Sequence, residues 1–389
     1  MAITAYQKPQ ILSPAYNNQI FTALSNQIAI ADFKYVVTVT INGVANVKEY
    51  LQRPDGWLVV DVKEWVQNFI QHYFNPQLSL ASPIEIATNK SVEVLVNIKE
   101  FYSGVMHTGV NYTYTAFDAS LTESAFRNYD YQNYLFNTVA GNLFLSKTID
   151  TITPDNRLTL NRDMYLHFIN TNIDNILIQL IRNNTFIGTV TIATIPSGAI
   201  TNPIYAMRIN SAMFTATAPQ VGDIISVRFR NSTTTIAFIQ RPIVELCTKY
   251  TDNILYYLDR DGNILFFHFD KISKNNYTKK TNKVTLNADR LNTTTGAYGA
   301  NSWDREDHIV NTAIESTILL NTDWITETQS RQLNDLWSSP QVWLHNGTEL
   351  LPVTITNNGY EEIKSENEPL FQYNVIVNTG VVETRQRGI

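Results

Sequence analysis

The sequence predicts a mainly β protein of two or three β-rich domains, including a central β-sandwich, with one capped amphipathic helix in each terminal domain. Three observations lead there. The chain is rich in residues that suit a pleated, half-buried surface, with 20 Tyr and 18 Phe beside many Thr, Val and Ile. Turn dipeptides of the Asn-Gly and Asp-Gly type recur between short apolar runs, and such turns suit a hairpin because they accept positive φ. The length of 389 residues also exceeds the roughly 250–300 residues at which a single core stops growing.

The first hairpin is expected where KYVVTVTI (34–41) meets Asn42-Gly43 and a second run from Val44. A helix is expected from about Asp61 to Phe74, because Val62, Trp65, Val66, Phe69, Ile70 and Tyr73 form one stripe at the 3.6-residue period. Asp61 with Glu64 gives it a capping-box-like start, and Pro76 follows as a stop. A weaker helical pattern lies near Leu121 to Leu135. A Thr/Asp/Pro-rich joint, KTIDTITPDN, then opens a run of short strands: MYLHFIN (164–170), NILIQLI (175–181), FIGTVTIAT (186–194), IYAMRI (204–209) and DIISVRFR (223–230). Their spacing is that of a sandwich. Further hairpins are expected at Asp261-Gly262, between ILYYL (254–258) and ILFFHF (264–269), at Asn346-Gly347, and at Asn358-Gly359. The second helix is expected from about Thr326 to Ser338, with Thr326 and Gln329 as its capping box and Ser339-Pro340 as its end. Three segments result: 1–147 with the first helix, 148–247 as the sandwich, and 248–389 with the second helix.

Composition narrows the function classes. Charged residues are only 16%, while Asn and Thr together make up about a fifth of the chain. An exterior of that kind is polar yet cheap to desolvate, which suits burial against many neighbours. A net charge of −6 excludes a domain held to nucleic acid by bulk charge. The single cysteine, Cys247, excludes a disulfide framework and a cysteine-based zinc site, and its apolar setting predicts a buried, inert thiol. Residues 1–10 (MAITAYQKPQ) lack the charged-then-apolar pattern of an export leader, and no apolar run approaches the roughly 20 residues that span a bilayer. Cytoplasmic synthesis without membrane insertion is the expectation.

Motifs that carry chemistry are scarce. The six histidines, at 72, 107, 167, 268, 308 and 345, include no pair at helical metal-ligand spacing, and His72 is expected to be partly exposed or satisfied by a neighbour. Asp259 to Asn263 (DRDGN) has a superficial calcium-loop look. Its glycine falls at the fourth position and its flanks are strands, so a hairpin turn is the expectation. No nucleophile elbow, P-loop or dinucleotide glycine fingerprint occurs. Acid pairs such as Glu361-Glu362 are unspecific without a cleft. No catalytic, cofactor-binding or metal-binding residue is therefore assigned. One basic cluster stands out: Lys271, Lys274, Lys279, Lys280 and Lys283 around Tyr277. It reads as a solvated loop, or as a contact with a phosphate backbone or an acidic neighbour subunit. Asn292 to Asn301 (NTTTGAYGAN) reads as a loop that could order at an interface.

Two stretches carry a resemblance. The first is FKYVVTVTINGVANVKEYLQRPDGWLVVDVKEWVQNFI (33–70). The second runs from STILLNTDW to FQYNVIV (316–377), with a "W…L..LW.SP.V" helix-to-strand step, an "LPV.ITN..YE" strand and an "LF.Y.V" closing strand. Together with NILYYLDRDGNILFFHFDK (253–271), these resemble structural virion proteins of tailed bacteriophages, including crAss-like phages and relatives. The likeness covers roughly the first and last thirds and leaves 148–247 unexplained. It implies a non-enzymatic, ring-forming tail, neck or baseplate subunit, located in the virion, that packs against copies of itself and other tail, neck or portal proteins, with a contact between the lysine cluster and packaged DNA left open. It supplies no catalytic residues and no cofactor. Two other readings stay open. One is a carbohydrate- or receptor-binding module at the tail tip, for which Tyr205, Tyr112 and Tyr114 are the candidate platform. The other is a depolymerising enzyme on the same particle.

Overall fold

A computed structural model describes residues 3–137, 141–145, 158–170, 173–197, 202–245, 252–285, 290–299, 307–347, 349–357 and 370–385. The protein is mainly β. It divides into two compact units, Met1–Glu245 with Leu258–Phe266, and Leu246–Tyr257 with Phe267–Ile389. The segment borders expected at 147/148 and 247/248 lie outside the described residues, as do Cys247, Asn358-Gly359 and Glu361-Glu362.

Unit 1 opens with a three-stranded antiparallel sheet, Ile3–Gln7, Ile20–Ser25 and Leu58–Asp61. Beside it stands a five-stranded sheet in the order Leu12–Pro14, Val105–Phe117, Ser91–Tyr102, Lys34–Ile41, Val44–Tyr50. Alternation explains their core. Tyr35, Val37, Val39 and Ile41 point inward from one strand, and Val92, Val94, Val96 and Ile98 from its neighbour. Phe21, Leu58, Val60 and Val66 close the same cluster. The buried Tyr35 hydroxyl donates to the Gly56 carbonyl at 2.9 Å and accepts the Ser25 N–H at 3.0 Å, so this large side chain leaves no polar atom stranded.

The expected hairpin at Asn42-Gly43 is present. Both residues have positive φ (49° and 79°), and Ile41 pairs with Val44. Equivalent turns occur at Ser103-Gly104 and Asn183-Asn184, where both φ values are again positive. The first helix is shorter than expected, covering only Lys63–Gln67, with Val62 at its N-cap position and no side-chain cap. Asp61 instead accepts the N–H groups of Gln19 and Lys63. Tertiary contacts end the helix. Ile70 enters the first core, Gln71 N–H bonds to the Asn89 carbonyl, His72 meets Asp118 and Tyr73 packs against a different apolar cluster. One helical face cannot serve all of these at once. The weak helical pattern near 121–135 resolves into a single turn of helix, Glu123–Arg127, capped by Thr122, and a 3₁₀ turn at Tyr131–Tyr134.

The sandwich strands fall where expected. Asp163–Ile169 and Ile204–Asn210 lie in a second five-stranded sheet. Thr185–Ile192, Asn175–Arg182, Ile224–Asn231 and Thr234–Pro242 form a four-stranded antiparallel sheet in that order. Phe168 of one sheet meets Phe229 of the other edge to face, 5.1 Å between ring centres. Bidentate pairs clamp strands in register: Arg208 on Asp163 at 2.8 and 2.9 Å, and Arg182 on Asp223 at 2.7 and 2.8 Å.

Unit 2 carries the strands Asn253–Leu258, Val342–His345, Leu350–Ile355, Asn374–Arg385, Asp307–Asn321 and Ser273–Thr285, hydrogen-bonded to one another in that order. The hairpin across Asn346-Gly347 is present, with Gly347 at φ 98°. The second helix is also present, over Glu327–Ser338. Thr326 accepts the Gln329 N–H while the Gln329 side chain accepts the Thr326 N–H, a complete capping box. Leu333 and Leu336 are fully buried on its inner face.

Candidate assembly surface

The five lysines map onto one element. Lys271 precedes, and Lys274, Lys279, Lys280 and Lys283 lie on, the 13-residue strand Ser273–Thr285. The expectation of a loop is corrected here. The segment is a regular strand, about 44 Å long at 3.4 Å per residue, and it is exposed along nearly its whole length. It pairs antiparallel with Asp307–Asn321, which pairs in turn with Asn374–Arg385, so the three form a ribbon. The base of the ribbon is anchored by the buried Leu320, Val375 and Val377. Beyond that base the lysine strand buries neither face, and it forms the edge of its sheet, with no strand paired to its outer side among the described residues.

The lysines do not converge. Lys280 Nζ lies 2.6 Å from Glu315, Lys283 Nζ 3.4 Å from Asp307, and Lys271 Nζ 3.8 Å from Asp270. The Thr285 hydroxyl and Lys283 hold the Asp307 carboxyl below the usual carboxylate range. Lys274 and Lys279 have no acidic partner among the described residues. They sit five positions apart in a regular ladder, opposite Leu319 and Ile314, and so on opposite faces. Such a pattern is a poor cradle for a phosphate backbone, which needs several cations tracking one groove. The Asn292–Asn301 stretch contributes a small hairpin, Arg290–Leu291 with Tyr298–Gly299, where Leu291 and Tyr298 are exposed.

The aromatic platform proposed for a glycan is corrected as well. Tyr205 and Tyr114 are buried, and Tyr112 is half-buried with its hydroxyl donating to the Pro9 carbonyl at 2.6 Å. Tyr205 donates to the Pro196 carbonyl, and burial pushes the Tyr114 hydroxyl pKa far up. These rings are cross-strand packing.

Sequence reading missed a buried ionic cluster in unit 1. Lys90 and Asp118, both about 1% exposed, pair at 3.2 Å, and His72 Nδ1 lies 2.8 Å from the other Asp118 oxygen. His72 is thus satisfied by a neighbour. The members lie 28 and 46 residues apart in sequence, so no spacing signal could have joined them. Beside Lys90, His167 is buried, with neither ring nitrogen hydrogen-bonded among the described residues. Burial, then the charge of Lys90, pushes its pKa well below the usual imidazole value. The 259–263 turn seats here too. His167 N–H donates to Asn263 Oδ1 at 3.1 Å, Ser120 N–H donates to the Arg260 carbonyl at 2.7 Å, and Asp259 Oδ1 accepts the Asn263 N–H at 2.6 Å. DRDGN is therefore a hairpin turn whose Asp259 carboxylate is spent on its own backbone. The space left among Lys90, His167, Asp261 and Asn263 is about 10 Å³, room for about one water and none for a substrate. A wider cleft of about 300 Å³ lies between Lys8, Gln10, Asn18, Arg127 and Tyr129, with no carboxylate lining it. Among the described residues, no three His, Cys, Asp or Glu side chains group as metal ligands.

No protein-family model matches the chain, and comparison with curated proteins finds no significant relative.

Proposed function

We propose that this chain is a structural, non-enzymatic subunit of a tailed-phage virion: a ring-forming tail, neck or baseplate component that packs against copies of itself and other virion proteins. The observation that supports it best is the ribbon of Ser273–Thr285, Asp307–Asn321 and Asn374–Arg385. A strand of 13 residues that buries neither face gains little from its own fold, since sheets are stabilised by cross-strand pairs and by a covered face. Such an arm becomes worth ordering when a neighbour covers it. The weakly charged, Asn/Thr-rich exterior agrees, because few charges must be desolvated when the surface is covered, and repeated heterologous contacts close a ring. The resemblance of 33–70 and 316–377 to phage virion proteins supplies the particle.

Mass spectrometry and electron microscopy of purified particles of the encoding phage test this reading. The expected result is the chain in stoichiometric, multi-copy amount in a ring of the tail region. Its absence from particles refutes the proposal.

A further inference from the structure

We infer that the open edge of Ser273–Thr285 takes an added β-strand from a different virion protein, one carrying two carboxylates five residues apart. The inference rests on the assembly reading above and names the partner's chemistry.

An edge strand offers a row of unpaired N–H and C=O groups, and adding a strand is the direct way to satisfy them. The ladder on its inner side is regular from Ser273 to Asn282, so the outer side of that stretch presents an undistorted template. Side-chain charge decides which strand fits. The strand carries four lysines and no acidic residue. Two of the four are already drawn inward, Lys280 to Glu315 and Lys283 to Asp307. Lys274 and Lys279 are left without an acidic partner among the described residues. A second copy's lysine strand would set like charges against them, which cross-strand pairing disfavours. The occupant is therefore another protein. In either orientation, the residues opposite Lys274 and Lys279 are themselves five apart and lie on opposite faces of the added strand. Between them, the edge asks only for strand-forming residues facing Asn275, Asn276, Tyr277 and Thr278.

The test uses the full-length chain and three labelled Thr/Val nonapeptides. One carries glutamates at positions 2 and 7, one carries lysines at those positions, and one carries glutamates at 2 and 6, which places both on one face. Fluorescence anisotropy reads affinity, and hydrogen exchange with mass spectrometry reads protection of 273–285. Two exposed pairs exchanged for two repulsions should favour the 2/7 glutamate peptide about tenfold over its lysine twin, and loss of one pair about twofold over the 2/6 peptide. Exchange should slow on the lysine strand. The double variant Lys274→Glu/Lys279→Glu, altered only at exposed positions, should reverse the preference toward the lysine peptide. Equal binding of all three peptides, no protection of 273–285, or no reversal in the variant each overturns the inference. These outcomes do not depend on particle composition, so failure here and failure of the virion reading are told apart.

Discussion

Replacing His167 with Phe should remove a specific acid sensitivity from unit 1. The wild-type ring is buried beside Lys90, with no hydrogen bond to either nitrogen among the described residues. Burial first, and Lys90 second, lower its pKa well below that of a free imidazole. The unfolded chain, with a histidine pKa near about 6.5, therefore takes up a proton before the folded chain does. Stability is fully present above about pH 6.5 and is lost as pH falls from there toward the folded pKa, at up to about 1.4 kcal/mol per pH unit. By pH 5 the loss relative to the Phe variant is at most about 2 kcal/mol, the limit set by the unfolded pKa. Lys90 and Asp261, which line the same small space as the ring, are common to both proteins and cancel in the difference. The Arg182–Asp223 pair also cancels. Its carboxyl is held below the usual value by Arg182, so its acid loss begins only below about pH 3.8. Denaturant midpoints of the segment 163–169, read at each pH by pulsed hydrogen exchange and mass spectrometry, give the two curves. They should diverge between pH 6.5 and 5. Parallel curves across that range would refute the reasoning.

Three other perturbations follow from the same geometry. At Gly262, φ is +90° and an added Cβ would lie 1.8 Å from the Asp118 carbonyl oxygen, whereas at Gly43, φ is +79° and nothing lies within 4 Å. Gly43→Ala should cost about 1–2 kcal/mol and Gly262→Ala clearly more, measured by denaturant unfolding; equal costs would deny the close seating of the turn. Lys90→Met takes the lysine from the buried Asp118 carboxylate and leaves His72 against its other oxygen; it should cost about 3 kcal/mol, and adding Asp118→Leu should restore part of it; a single variant as stable as wild type contradicts the buried pairing. Thr326→Ala should lower stability by about 1 kcal/mol through loss of the helix cap, with faster amide exchange confined to the first turn of Glu327–Ser338.

What the sequence revealed follows from which signals are local. The helix at 327–338 was readable because its cap, its apolar face and its terminating Ser-Pro all lie within fifteen residues and agree. The sandwich strands were readable because buried faces impose alternation. The helix at 63–67 was overestimated because Phe69, Ile70 and Tyr73 fit a helical period, yet Phe69 and Ile70 pack on the first core while Tyr73 packs on a different cluster. The lysine strand was misread as a loop for the opposite reason. With neither face buried, SKNNYTKKTNKVT has no alternation to display, and only pairing with Asp307–Asn321 makes it a strand. Tyr114 and Tyr205 looked like exposed aromatics because sequence shows a residue's type but not which side of a sheet it faces. The Lys90–Asp118–His72 cluster was invisible because its members come together only in the folded chain.

The near absence of core commitments along Ser273–Thr285 has an evolutionary corollary. Substitutions there leave the interior of the subunit untouched, so the arm is free to drift while the rest of the molecule is constrained by packing. On the docking role proposed above, a lineage can retarget its partner by exchanging a few surface charges on this one strand, without rebuilding the body that holds it.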